Sequence, residues 1–274
     1  MALITGASGG IGEEFARQLS RSGWETVLVG RNAARLEAVR RSLEGPGAAG
    51  SVALAADLSL PSAAEGLAAE CGRRGLEVEL LVNNAGCGLF GPGAGLPARD
   101  VEAMLRLNVI ALTSLCAAFS ARMIERGGGR ILNVGSLAGD YALPYFASYA
   151  ASKSYVLSYS LALRAELRRS GVGVTCVLPG YVRTGFDAAA GISSPAYLAF
   201  SEAAGMSARA VARAGLRALA ADRPYSAAGI RNKAAAALGR LVPRSAVPAV
   251  AGAFLGRMAG AGKGEARSPE GNAR

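Results

Sequence analysis

The chain has 274 residues, a net charge of +10, four cysteines and no histidine. Lack of histidine removes Ser-His-Asp and Cys-His nucleophile systems and most zinc sites, leaving acid–base chemistry to Tyr, Lys, Asp, Glu or Cys. Cys71, Cys87, Cys116 and Cys176 are dispersed with no C-x-x-C pair, which argues against a metal knuckle or a disulfide framework and fits a reducing cytoplasm.

Residues 2–5 read as a first strand, and no basic, apolar leader precedes them. No uncharged run reaches the roughly 18 residues a membrane span needs, so a cytoplasmic protein is expected. Short apolar runs at Glu25–Val29, Val52–Ala55, Leu80–Val82, Arg130–Val134 and Val172–Val177 follow as further strands. Amphipathic stretches at 11–22, 33–44, 61–74, 98–126 and 146–170 separate them. Alternating β and α with near-continuously apolar strands predicts an α/β fold, a single-domain, doubly wound parallel β-sheet with helices on both faces. Residues 1–228 form this domain in our reading, with a substrate loop at about 182–221 and a weakly signalled seventh strand near Pro224–Ala228. Residues 229–259 read as a helical extension of it. One face carries Ile230, Ala234, Leu238 and Leu241; another carries Val247, Val250, Phe254 and Met258. The Gly- and charge-rich stretch 260–274 is expected to be disordered.

Thr5-Gly6-Ala7-Ser8-Gly9-Gly10-Ile11-Gly12 joins the first strand to the first helix. Glycines let backbone approach a pyrophosphate, and a helix N-terminus supplies free N–H groups and partial positive charge. The placement points to a dinucleotide. A strand that reads the 2′-hydroxyl of NAD ends in Asp or Glu, whereas this second strand ends Val29-Gly30-Arg31-Asn32. A guanidinium holds a 2′-phosphate through parallel hydrogen bonds, so NADP(H) is preferred. Use of NAD(H) is left open as well.

Tyr149 and Lys153 are four apart in a helical stretch and share a face. A neighbouring ammonium favours phenolate and is expected to lower the tyrosine pKa. Ser136 follows the fifth strand at the sheet edge where ligands bind in open α/β folds. Asn108 sits mid-helix, where asparagine is a poor helix former; a local kink is the plain structural reading.

As a set, these residues resemble the short-chain dehydrogenases/reductases of the T-G-x-x-x-G-x-G and Y-x-x-x-K type, which have a Rossmann-like fold. The matches are Thr5–Gly12, Asp57, Asn83-Asn84-Ala85-Gly86, Asn108, Ser136, Tyr149 with Lys153, and Pro179-Gly180 with Thr184, covering about residues 1–185. The resemblance implies an NADP-dependent oxidoreductase acting on CH-OH and C=O groups. It makes Tyr149 the proton donor, Lys153 its partner and a ribose ligand, Ser136 the group that orients the carbonyl, and Asn108 part of a water-linked relay. It assigns cofactor contacts to Gly6, Ser8, Gly10, Ile11, Gly12, Arg31, Asn32, Asp57, Leu58, Asn84, Ala85, Gly86, Tyr149, Lys153, Pro179, Gly180, Val182 and Thr184. No metal is expected.

Three loops, Cys87–Phe90, Leu137–Phe146 and Tyr181–Met206, should enclose the substrate. Their residues include Leu89, Phe90, Tyr141, Leu143, Phe146, Phe186, Ile192, Tyr197 and Phe200. This lining suits a small hydrophobic carbonyl or alcohol, lipid-like, ketoacyl or steroid-like; Arg183 is the cation that could meet a substrate carboxylate. From Arg223 onward nine Lys/Arg face only Glu265 and Glu270, without the interleaved aromatics of a nucleic-acid binder. The C-terminal helices are read first as a lid or subunit interface, and second as a weak peripheral membrane contact. The resemblance implies a homodimer or homotetramer. A catalytically silent NADP-binding sensor or scaffold is the alternative function; epimerases and dehydratases of this kind carry a differently spaced glycine turn.

Overall fold

The computed structural model describes residues 1–45, 49–230, 232–234 and 246–258. Seven parallel strands build the central sheet: β1 (Ala2–Thr5), β2 (Thr26–Gly30), β3 (Ser51–Ala55), β4 (Leu80–Asn83), β5 (Gly129–Val134), β6 (Val172–Leu178) and, at its edge, Tyr225–Ala227. The first six run in the order β3-β2-β1-β4-β5-β6, with Tyr225–Ala227 beside β6. The chain therefore reverses its winding between β1 and β4, which opens a crevice at the carboxyl ends of those two strands.

Period-two alternation within the strands sends side chains to two separate cores. Leu3, Val27, Val29, Leu81 and Ile131 point to one face. There they pack under helices α3 (Ala63–Arg73), α5 (Leu112–Glu125) and α6 (Ala147–Glu166). Ile4, Leu28, Leu80, Val82 and Leu132 point to the other, under α1 (Gly10–Arg21) and α2 (Ala33–Ser42) and a later helix at Ala208–Ala220. Both faces are covered, as the unbroken apolar strands require.

The helix preceding α5 is α4 (Ala98–Leu105), and a wide π turn at Arg106–Ala111 links the two. The whole stretch Ala98–Glu125 is long and apolar enough to cross a membrane by length and composition. Its apolar residues Leu112, Leu115, Phe119 and Met123 are buried against the sheet, which accounts for that composition.

The 182–221 excursion has more order than its sequence indicated. Two two-residue strands, β7 (Val182–Arg183) and β8 (Met206–Ser207), pair in parallel. They bracket α7 (Phe186–Ala189) and α8 (Pro195–Ala204); α9 is the helix Ala208–Ala220, and α10 is Val247–Met258. Strands of two residues show no alternation, so they left no trace in the pattern. The proposed face with Leu238 and Leu241 and the tail 260–274 lie outside the described residues.

The β1–α1 turn is drawn tight by glycine. Gly6 and Gly10 adopt φ of 67° and 57°, the left-handed region glycine enters freely. A Cβ on Gly12 would run into the Gly6 carbonyl oxygen and lie 2.6 Å from Asn84 Nδ2. At Gly9 a Cβ would meet nothing within 4 Å. Gly12→Ala is therefore expected to cost about 2 kcal/mol or more, as overpacking does, and to lower Tm by about 5 °C. Gly9→Ala should leave Tm within about 2 °C of the parent; thermal unfolding of the two variants side by side checks the contrast.

Candidate active site

At the β1–β4 crevice one threonine ties the two strands. Thr5 Oγ1 accepts hydrogen bonds from the N–H groups of Asn84 (3.0 Å) and Ala85 (2.9 Å), while Asn84 Nδ2 donates to the Thr5 carbonyl at 2.9 Å. Gly10 approaches Thr184, whose Cγ2 lies 3.3 Å from the place of a Gly10 Cβ. Thus Gly6, Gly10, Asn84, Ala85 and Thr184 meet around a single opening. Among the described residues no side chain caps α1 at Gly9 or accepts from the amides of its first turn, at Gly10, Ile11 and Gly12.

Ser8 faces the end of β2, its Oγ 3.4 Å from the place of a Gly30 Cβ. Arg31 follows, exposed and in no ion pair among the described residues. Asn32 Oδ1 caps α2 by accepting from Arg35 N at 2.9 Å, so only its amide group is left for another partner. Burial pushes the Asp57 carboxyl up, but two hydrogen bonds from Ser59 and the nearby Arg31 outweigh it and hold the group below its ordinary value. Leu58 sends its side chain into the core, leaving its backbone as the part that can touch a ligand.

On the other side of the crevice, Ser136 is buried just past β5 and caps the short turn Leu137–Asp140, its Oγ accepting from Ala138 N at 3.1 Å. The same hydroxyl is paired with the Tyr149 hydroxyl. Lys153, one turn further along α6, is only 5% exposed and donates from Nζ to the Val134 carbonyl at 2.9 Å. Asn108 lies within the π turn, where the widened coil re-aims a side chain inward. Its Oδ1 accepts from Cys87 N (3.0 Å), and Nδ2 donates to the Cys87 carbonyl (2.9 Å) and Ser152 Oγ (3.1 Å). Gly86 stands between them: a Cβ there would sit 3.1 Å from Asn108 Oδ1 and 3.3 Å from Lys153 Nζ. Asn108, Ser136, Tyr149 and Lys153 are therefore gathered at one point, beside Gly86.

The electrostatics differ from the sequence expectation in one respect. Burial pushes Tyr149 up to about 12, against the opposing hydrogen bond with Ser136, because a phenolate loses its hydration there. Lys153 Nζ lies 6.0 Å from the Tyr149 ring centroid and does not reverse this. Burial also brings Lys153 down to about 8. At neutral pH the tyrosine keeps its proton, the form a proton donor requires.

Next to Tyr149 lies an apolar cluster with Phe146, Ala190, Ile192, Tyr197 and Leu255 at its centre. The three predicted loops do converge: Phe90, Leu143, Phe146, Phe186, Ile192 and Tyr197 belong to the cluster, and Phe200 reaches it edge-on through Tyr181 at 5.2 Å. Leu89 and Tyr141 lie outside it. The Phe186 ring is 5.4 Å and the Phe146 ring 5.7 Å from that of Tyr149. Arg183 is not the free cation its sequence position suggested. It is bound to the backbone carbonyls of Glu202 and Gly205 and faces the Glu202 carboxylate.

Helix α10 covers this cluster with part of the expected face and with one residue outside it: Met258 packs on the cluster and Phe254 meets Phe200 edge-on at 5.3 Å. Leu255 is the buried residue of α10, whereas Val250 is 70% and Phe254 42% exposed. A Cβ at Gly252 would sit 3.2 Å from Pro144 Cγ, and one at Gly256 3.0 Å from the Tyr145 hydroxyl. The helix thus approaches the 144–145 loop on its glycines, with Leu255 turned inward beside them, and close fit prevails over bulk. Hydrophobic spacing alone finds Phe254 and Met258 and misses Leu255 and the two glycines.

The buried ammonium gives a pH test. Lys153 binds its proton less tightly in the folded chain than in the unfolded one, so its burial penalty is full below about pH 8 and fades as pH rises toward its ordinary value near 10.5. Lys153→Met should therefore be more stable than the parent at pH 7, and the gap should shrink by up to about 3 kcal/mol by pH 10.5, at about 1.4 kcal/mol per unit. Urea unfolding of both proteins across this range measures it; a gap independent of pH would refute the assignment.

Comparisons with known proteins agree with this geometry. Residues 1–193 match the family model for short chain dehydrogenase. Very-long-chain 3-oxoacyl-CoA reductase-B of Danio rerio is 33% identical over 191 residues, 67% of this chain and 60% of that protein. The chain thus spans well under two thirds of that relative. Among solved structures, a short-chain dehydrogenase from Sphingobium yanoikuyae in complex with NADPH superposes with a TM-score of 0.78 at 30% identity, covering 99% of both chains. The bulky-bulky ketone specific alcohol dehydrogenase from Comamonas testosteroni gives 0.72 at 26% identity, over 89% of this chain and 94% of that one. The family match spans well over half of the chain and the solved relatives share its sheet, so the chain belongs to the short chain dehydrogenase family.

Proposed function

We propose that this protein is an NADP(H)-dependent oxidoreductase that interconverts a hydrophobic ketone or aldehyde and its alcohol. The observation that carries the proposal is the Tyr149 hydroxyl, protonated and paired with Ser136, held beside a buried Lys153 and opening onto the aromatic cluster.

The crevice fits a dinucleotide. Glycines leave room where the backbone must approach phosphate, the α1 amides have no side-chain cap, and the second strand ends in Arg31 rather than a carboxylate. The NADPH bound by the Sphingobium yanoikuyae relative supports the same choice. Gly6, Ser8, Gly10, Ile11 and Gly12 would hold the pyrophosphate, Arg31 and Asn32 the 2′-phosphate end, and Asp57 and Leu58 the adenine side. Asn84, Ala85 and Gly86 would line the channel, and Pro179, Gly180, Val182 and Thr184 the nicotinamide end.

When bound, the nicotinamide supplies or accepts the hydride. The chain does the rest. Ser136 donates to the carbonyl oxygen and stabilises charge developing there, and Tyr149 delivers its proton to that oxygen in reduction or takes it back in oxidation. Lys153 holds positive charge beneath, and Asn108, fixed by Cys87 and Ser152, keeps the helix open next to it. The aromatic cluster excludes water and packs the substrate; the bulky ketones of the Comamonas testosteroni enzyme support a large apolar substrate.

Nicotinamide fluorescence titration tests the cofactor half. NADPH should bind more tightly than NADH, and Arg31→Ala should weaken NADPH by about 10- to 100-fold, the worth of a charge-assisted phosphate contact, while leaving NADH unchanged. Tyr149→Phe tests the chemistry: turnover of an aryl ketone should fall by about 10²- to 10⁴-fold with NADPH affinity retained. A folded protein that binds neither nucleotide would refute the proposal.

A further inference from the structure

Beside the apolar cluster lies a carboxylate that the reaction does not use. Asp187 is half-buried on α7, next to Phe186, whose ring packs on Tyr149. Its Oδ2 accepts from Ser201 Oγ at 2.6 Å. Ser201 and Tyr197 stand one turn apart on α8, both buried, so the face of α8 that carries Tyr197 into the cluster is the one that holds Asp187. The backbone agrees: the Asp187 carbonyl accepts from Ile192 N at 3.0 Å, and Ile192 is a central cluster residue.

Among the described residues Asp187 makes no ion pair, and the nearest cation in sequence, Arg183, is bound to Glu202 and Gly205. Its field reaches three phenols. Burial is the main cause that raises Tyr149, Tyr181 and Tyr197, and the Asp187 carboxylate adds to each. The Tyr197 hydroxyl is paired with that of Tyr181. Nine of the sixteen aromatic residues in the chain form one continuous network here. A carboxylate at an aromatic wall attracts donors and repels anions.

Resting on the reading of this site as a carbonyl reductase, we infer that Asp187 determines specificity: it selects ring-bearing carbonyl substrates that present a hydroxyl, amide or amine donor, and rejects those that present a carboxylate. Rejection by an unpaired like charge is as effective a device as a new contact.

The test is a matched pair of aryl ketones, 4-acetylbenzamide and 4-acetylbenzoate, titrated calorimetrically into the protein saturated with NADP+. A ketone with the oxidised nucleotide does not react, so binding is read without turnover. The amide should bind at least about tenfold more tightly than the carboxylate, the scale of one poorly screened like-charge contact. Asp187→Asn, nearly isosteric and able to keep the Ser201 contact, should bring the two within about twofold and leave NADP+ affinity unchanged. Ser201→Ala retains the charge and should retain the discrimination, which separates charge from packing. Equal affinities in the parent, binding of neither ketone, or an undiminished ratio in Asp187→Asn would overturn the inference while leaving the NADP reading intact. Failure of NADP+ itself to bind would instead overturn the reading on which the inference stands.

Discussion

A single ammonium buried in the middle of an α/β domain sets the terms for everything around it. Lys153 reaches the Val134 carbonyl from the inner face of α6 and is almost wholly withdrawn from water, a position that favours loss of its charge. Neighbouring segments are shaped to admit it. Gly86 lacks the side chain that would crowd the Nζ atom, and a Cβ on Gly139 would lie 2.6 Å from the Lys153 carbonyl carbon. That second absence lets the turn after Ser136 settle directly on α6, so that Ser136 and Tyr149 can meet.

Further down the same face of α6 a chain of amides fixes its rotation. Asn83 Nδ2 donates to Asn133 Oδ1 at 2.9 Å, and Asn133 Nδ2 donates to Ser160 Oγ at 2.9 Å, linking β4, β5 and α6 through the interior. Ser160 is two turns beyond Lys153, on the same stripe. Polar groups this deep are stabilising only when joined, and their geometry admits one orientation of the helix. Tyr149 thus sits on a helix fixed at two points, by the Lys153 ammonium and by the amide ladder below it.

How far the sequence could be read follows from these constraints. The strands were legible because burial on both faces makes them apolar throughout, and the glycine turn because its spacing is dictated by a backbone that cannot tolerate Cβ atoms at Gly6 or Gly12. Tyr149 and Lys153 were legible as a pair because helical periodicity puts them on one face. The tyrosine's raised pKa was not, since burial of a phenol depends on distant residues such as Phe146 and Phe186 folding over it. Nor was the role of Arg183, whose partners Glu202 and Gly205 lie about twenty residues on. The face of α10 was legible only in part for a related reason: a hydrophobic pattern registers large side chains such as Phe254 and Met258, and misses contacts made by glycines.

That glycine contact gives the pocket two walls of unequal thermodynamic depth. The wall formed by α6 and the sheet is built from neighbours in the strand order and is locked by buried hydrogen bonds. The opposite wall depends on Gly252 and Gly256 meeting Pro144 and Tyr145 across more than a hundred residues of chain, with Leu255 as its one deeply buried side chain. Closing so long a loop costs entropy that grows only slowly with its length, and the few contacts of Leu255, Met258 and Phe254 offset only part of it. The crevice side of the protein is in this sense a fixed instrument, and the α10 side a shallower free-energy well, held by a handful of apolar contacts and the fit of two missing side chains.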